Sequence, residues 1–319
     1  MRCGVFPILF LAAACFFASC DEKAPPTPEQ IAAWVKQLGD DDLDTRNKAE
    51  AGLSESGDAA AAALEKVKES PDLEVRTRGM RLLGALKTAP LLRKMAEVSS
   101  NAQSIEADMQ MSIHVRVGDR TVEQEMRGHI RSLRDGKHFV VNMTLKAMFE
   151  ITTKMVADGT HQWMEIGMDN APAVGGGKNP IRVQKYSLSE LQKKNGGKPV
   201  QPLEQTEEIR KMFAFTELRE ERVQGEECYV LEGGLKPEIQ KKTEQIQPFT
   251  NAKRARLSIA KETMLMRKSE MLDEGNNVIM STELLNVKLG VEFDPKIFTY
   301  TPPESAEITD MDAAKDAEK

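Results

Sequence analysis

The stretch "IEADMQMSIHVRV", residues 105 to 117, constrains this chain more than any other. Ile105, Ala107, Met109, Met111, Ile113, Val115 and Val117 alternate with Glu106, Asp108, Gln110, Ser112, His114 and Arg116. An extended backbone sends successive side chains to opposite faces, so this pattern writes a half-buried strand with one apolar and one polar face. Turn signals recur at Gly118-Asp119, Arg134-Asp135-Gly136-Lys137, Asp158-Gly159 and Asp273-Glu274-Gly275-Asn276, each between alternating runs. Such spacing describes a meandering antiparallel sheet, with roughly nine to eleven strands between residues 105 and 289.

The sheet pattern breaks between Gly167 and Thr216. "GMDNAPAVGGGKNP" reads as a loop, and "SLSELQKKN" and "LEQTEEIRKMFAFTEL" read as helices placed to pack across one mouth of the sheet. Gly175-Gly176-Gly177-Lys178 lacks the preceding buried strand and the Lys-Ser/Thr ending of a phosphate loop, so that chemistry is set aside.

Ahead of the sheet lies an internal repeat. "WVKQLGDDDLDTRNKAEAGL" (34–53) aligns with "LEKVKESPDLEVRTRGMRLL" (64–83) at a constant offset of 30, pairing Asp42 with Asp72, Leu43 with Leu73, Asp44 with Glu74 and Arg46 with Arg76. Each unit offers an apolar helix, an aspartate able to cap the next helix, and a second helix with leucines facing the first. The Asp-Leu-(Asp/Glu)-x-Arg signature resembles HEAT-type helical repeats. Two units bury little surface alone, so the module over residues 29–88 is expected to lean on the domain that follows, as a spacer or docking platform.

Met1 and Arg2 followed by the apolar run Val5 to Phe17 read as an export signal, shorter than the ~20 residues that span a bilayer. Phe17-Ala18-Ser19-Cys20 resembles the bacterial lipoprotein box, which makes residues 1–19 the signal peptide and Cys20 the lipidated first residue of the mature chain. Ala12-Ala13-Ala14-Cys15 is a competing box, and an ordinary secretory signal cut after Ser19 is a further alternative. With Cys3 and Cys15 removed and Cys20 acylated, only Cys228 remains, so no intrachain disulfide is expected. Cys228 reads as a small buried apolar residue. "DEKAPPTP" completes a tether over residues 20–28, and residues 309–319 form an acidic tail with nothing to bury that is expected to be disordered.

Three segments then carry a family resemblance. "MVADGTHQWMEI" (155–166), "REERVQGEECYVLEGG" (219–234) and "VKLGVEFDPKIFTYTPPESAEI" (287–308) resemble, in the same order, strand pairs and the closing segment of the LolA/LolB-like lipoprotein-handling superfamily, which includes LppX-like lipoproteins. The resemblance implies an α+β fold over residues 89–308, a curved antiparallel half-barrel with covering helices and an apolar cavity for acyl chains. The family's functional arginine lies in an early strand; Arg127 and Arg131 fall in that stretch, and the role is assigned to neither.

Thirteen of the 17 methionines fall between Met109 and Met280, in a sequence with only 5% aromatics. Methionine is unbranched and polarizable, suited to surfaces that meet variable chains, though it also simply fills cores. The candidate lining residues are Met109, Met111, Ile113, Met126, Phe139, Met143, Met164, Trp163, Met264 and Met280. His114, His129, His138 and His161 show no zinc-ligand spacing, and no Gly-x-Ser-x-Gly, His-Glu-x-x-His or Cys-x-x-Cys occurs. The reading is therefore a non-enzymatic lipoprotein without metal or cofactor, facing the periplasm, anchored at the outer membrane ahead of the inner one. Its partners are the membrane, a lipid or acylated lipoprotein, and a protein docked on the repeats. The formal charge of −6 without a basic block argues against nucleic acid. An RseB-like envelope sensor and a structural lipoprotein without ligand are the alternatives.

Overall fold

The structure is a computed structural model that describes residues 25–117, 120–146, 150–169, 180–194, 196–197, 209, 211–236, 239 and 251–313. The export segment, Cys20, the Gly175–Gly177 cluster, most of the expected helix over residues 203–212 and the end of the tail lie outside the described residues.

Four helices lead: α1 (Pro28–Gln37), α2 (Leu43–Glu55), α3 (Asp58–Lys66) and α4 (Leu73–Asn101). The 30-residue period has a physical counterpart in their caps. Asp42 accepts from the Thr45 amide at 2.9 Å, and Asp72 accepts from the Glu74 and Val75 amides at 2.8 and 3.1 Å. Arg46 donates to the Asp40 carbonyl and Arg76 to the Ser70 carbonyl, both at 2.5 Å, so each arginine closes the turn before its own helix. Ile31, Leu38, Leu53, Leu64, Leu82 and Leu83 meet between the helices in one apolar cluster.

Helix α4 runs unbroken through Pro90, across the 88/89 boundary drawn from the sequence. A proline inside a helix removes one backbone hydrogen bond and costs about 3 kcal/mol. Burial on both sides offsets that cost: the first half packs Val75, Leu82 and Leu83 among the helices, and the second packs Leu91, Leu92, Met95 and Val98 on the sheet.

The sheet has twelve strands. The first meander comprises β1 (Ser104–Val117), β2 (Arg120–Leu133), β3 (His138–Lys146), β4 (Glu150–Asp158), β5 (His161–Asp169) and β6 (Arg182–Ser187). The second comprises β7 (Phe213–Val223), β8 (Glu226–Leu235), β9 (Arg254–Ala260), β10 (Met266–Leu272) and β11 (Val278–Leu289). Pairing of β1 with β11 joins the two, and β12 (Glu307–Asp310) adds a parallel edge beside β6, giving the order 12-6-5-4-3-2-1-11-10-9-8-7. This corrects the start of the expected disordered tail: Thr309 and Asp310 pair with Gln184 and Lys185, and Asp312 accepts from the Ser187 amide at 2.6 Å. The result is a large, open and mostly antiparallel sheet with helices. The α5 helix (Leu188–Lys194) follows β6 and buries Leu188 in the main core.

The described turns form where the sequence placed them; the Gly118-Asp119 signal lies outside the described residues. Asp158 accepts from the Thr160 and His161 amides while Gly159 takes φ 95, a left-handed conformation open to glycine without strain. One segment departs from expectation. Residues 213–218, read as the end of a helix, are strand, because Phe213 and Phe215 point into the core while Ala214 between them is exposed. In a run this short, period two and period 3.6 look alike, and pairing with β8 decides.

A bulge between Phe215 and Glu217 marks where α4 crosses β7. Thr88 Oγ1 donates to the Phe215 carbonyl at 2.8 Å, and Gly84 lies against Thr216. A Cβ on Gly84 would sit 1.4 Å from the Thr216 oxygen. Gly84→Ala is therefore expected to lift α4 from the sheet and destabilise the protein by about 3 kcal/mol in urea unfolding. Gly234→Ala, where a Cβ meets nothing within 4 Å, should shift the midpoint little.

Candidate functional site

The face of the sheet beneath α4, here the inner face, carries the main apolar cluster. Strand register arranges its side chains in rows, one residue per strand. One row crosses ten strands from β7 to β5: Leu218, Leu231, Leu257, Ser269, Thr282, Met111, Met126, Leu145, Ile151 and Met168. Eight of the ten are apolar. Exposure changes along it, from Leu231 and Leu257 at 0%, through Thr282 at 2% and Met111 at 9%, to Met168 at 43%. Met126, Leu145 and Ile151 are half-buried. The row thus leaves a packed core and emerges as an accessible apolar track at the β5 end.

A parallel row holds Leu284, Met109, Gly128, Met143, Thr153 and Ile166. Gly128 leaves space for its neighbour, since a Cβ there would come within 2.3 Å of the Met143 sulfur.

The structure brings most of the expected lining residues to this face. Met109 and Met111 are buried, Ile113, Met126, Met143, Met164 and Met280 are half-buried, and Phe139 is buried deep in the core. Met264 is buried with them, although it sits in the β9–β10 turn with φ 56 and not on a strand. Trp163 is a correction: it occupies the opposite face. Neighbours along a strand point oppositely, so Met164 inward places Trp163 outward. Its Nε1 donates to Asp158 at 2.8 Å, its ring lies 5.4 Å from Tyr300, and Lys185 stands over it at 5.5 Å. Burial and the neighbouring Glu165, to which its hydroxyl donates at 2.6 Å, push the Tyr300 phenol well above its ordinary range.

The outer face is a lattice of charge. Glu232, its side chain 6% exposed, meets Arg219 at 2.9 Å, Arg254 at 2.9 Å and Arg256 at 3.2 Å, and these hydrogen-bonded cations hold its carboxyl low against the cost of burial. Arg256 continues to Glu270 at 3.1 Å, and Lys268 bridges Glu270 and Glu283, both at 3.1 Å. Arg127 and Arg131 also lie on this face, paired with Glu125 at 2.8 Å and Glu106 at 2.9 Å. His129 joins Asp108 at 2.7 Å and Glu106 at 3.1 Å. Among the described residues no group of three His, Cys, Asp or Glu side chains is placed to hold a metal, and no helix is long and apolar enough to cross a membrane. Cys228 is a free thiol packed with Val230 and Ala260, and burial pushes it up, away from the reactive thiolate.

Several solved structures resemble this chain at low identity. They include the lipoprotein LppX of Mycobacterium tuberculosis, at 10% identity over 65% of this chain and 98% of that one, with a TM-score of 0.37. A putative outer membrane lipoprotein-sorting protein domain from Vibrio parahaemolyticus matches at 11% identity, 67% and 97% coverage, and a TM-score of 0.29. A LolA superfamily protein from Nitrosomonas europaea matches at 16%, 66% and 97%, and 0.25. No family model and no curated protein matches. At scores this low, the functional case rests on the chain's own geometry.

That geometry separates an apolar inner face, able to receive hydrocarbon, from an outer face whose charged groups largely pair with one another. The inward position of Thr282 was legible from its alternation with Met280 and Leu284; its place in the row was not, because that needs the β1–β11 register.

The outer lattice makes a pH prediction. Hydrogen bonding from Arg131, with His129 and Lys288 adding to it, lowers the Glu106 carboxyl to about 2, from an ordinary value of ~4.3. The lowered value belongs to the folded state, so the stabilisation is complete above pH ~4.3 and is lost as pH falls toward about 2. Glu106→Gln should flatten the fall in unfolding midpoint across that window, leaving the neutral-pH midpoint lower than wild type.

Proposed function

We propose that this protein is a lipid-anchored envelope lipoprotein whose sheet binds acyl chains of a lipid or an acylated protein along the inner-face row from Thr282 to Met168. The observation that carries the reading is that row: continuous, apolar and increasingly accessible toward β5. Burying a methylene is worth ~0.8 kcal/mol, so a ~16-carbon chain gains on the order of 12 kcal/mol gross. A half-exposed track recovers part of that, enough to hold a chain and still release it. Unbranched methionines at Met111, Met126 and Met168 adapt to chains of different shape. Binding, not catalysis, is the role this surface supports.

Cys20 would supply the anchor. Several acyl chains on one residue hold a protein at a membrane too firmly for shuttling, which favours a stationary acceptor or holder at the envelope, with the outer membrane preferred. A second reading rests on Leu43 and Leu73, 53% and 67% exposed at equivalent positions of the two helical units. They suit the helical module to docking a protein, as an envelope sensor would require.

Protein purified from membranes should carry lipid detectable by mass spectrometry after extraction. Leu145→Glu, which puts a charge in the accessible part of the row, should lower the recovered lipid several-fold while moving the unfolding midpoint little; undiminished lipid in that variant rules the row out. Cys20→Ala should move the protein to the soluble fraction, and persistence with the membrane would show the anchor assignment to be wrong. Changing Leu43 and Leu73 to aspartate should leave lipid recovery unchanged and reduce protein capture if the docking reading holds.

A further inference from the structure

Eight of the ten residues in the inner-face row are apolar, and the two exceptions are neighbours. Ser269 on β10 pairs with Thr282 on β11 where the packed leucines end, one strand before the buried Met111 and two before Met126, where the row becomes accessible. Thr282 is 2% exposed, and its Oγ1 has no hydrogen-bond partner among the described residues. An unsatisfied buried hydroxyl is unfavourable, and valine has the same shape without that penalty. None of the described residues uses this hydroxyl, which lies buried among apolar neighbours at the inner end of the track, where a ligand seated in the row would meet it.

We propose that Thr282 Oγ1 is the polar anchor of the site and donates a hydrogen bond to a neutral carbonyl, that of an ester or amide, in the bound acyl compound. This inference rests on the acyl-binding reading. Neutrality follows from the surroundings: Thr282 lies between Met111 and Ser269 across the strands, with Met280 and Leu284 beside it on the same face, and none of these balances a buried carboxylate. Length is compatible. From Thr282 to Met168 the row takes five strand steps, about 24 Å at ~4.8 Å per strand. One acyl chain fills about half of a ~30 Å hydrocarbon layer, so a chain whose carbonyl sits at Thr282 fits within the track. The hydroxyl then fixes where the chain begins, which an apolar row by itself leaves free to slide.

Equilibrium binding of radiolabelled methyl palmitate and hexadecane to the full chain tests this. Wild type should bind the ester about tenfold more tightly than the alkane, the size of one buried hydrogen bond. Thr282→Val should abolish that preference by weakening ester binding alone, with an unfolding midpoint no lower than wild type, and Thr282→Ser should keep the preference. An equal ester preference in wild type and Thr282→Val, or none in wild type, overturns the anchor while leaving acyl binding intact. If wild type binds neither compound, the acyl-binding reading falls and the anchor with it.

Discussion

The pairing of β1 with β11 is the interaction on which the rest of the structure depends. It joins strands far apart in sequence, setting Met111 against Thr282 and Met109 against Leu284, and so turns two meanders into one sheet. Each meander alone would present a short apolar patch. Joined in this register, they present rows that cross the sheet, and the accessible part of one row is continuous with the packed core. Bringing distant strands together costs chain entropy, which the long β1–β11 ladder and the shared apolar face offset.

Helix α4 is the second constraint. One rigid element serves two cores, so the helical module and the sheet cannot separate without breaking a helix or exposing its apolar half. Close approach at Gly84 and the Thr88 hydrogen bond to Phe215 hold the crossing over β7. The helix packs on the leucine end of the row, and accessibility begins only beyond Met111. Across the sheet, the arginine–glutamate lattice satisfies the outer face without requiring a ligand, and the segment after β11 packs Phe298 and Tyr300 there against Val140, Val156 and Trp163.

Much of this was legible because alternation is a local property. The strand 105–117, the turns at Asp158-Gly159 and Asp273–Asn276, and the capping aspartates Asp42 and Asp72 follow from a few neighbouring residues each. The failures also have local causes. Trp163 and Met164 are both candidate lining residues in the sequence, yet adjacent strand residues face opposite ways. Residues 213–218 offered too few positions to tell a helix from a strand until β8 paired with them.

The sequence by itself determined which side chains share a face within each strand, where the chain turns, and that methionine, not aromatic residues, dominates the apolar surface. Only the tertiary structure decided which strands are neighbours and in what register, and therefore that Thr282 stands buried between Ser269 and Met111, unpartnered among the described residues. The physical reason is that side-chain direction depends on adjacent backbone angles, whereas register depends on hydrogen bonds between segments whose separation along the chain carries no information about their distance in space.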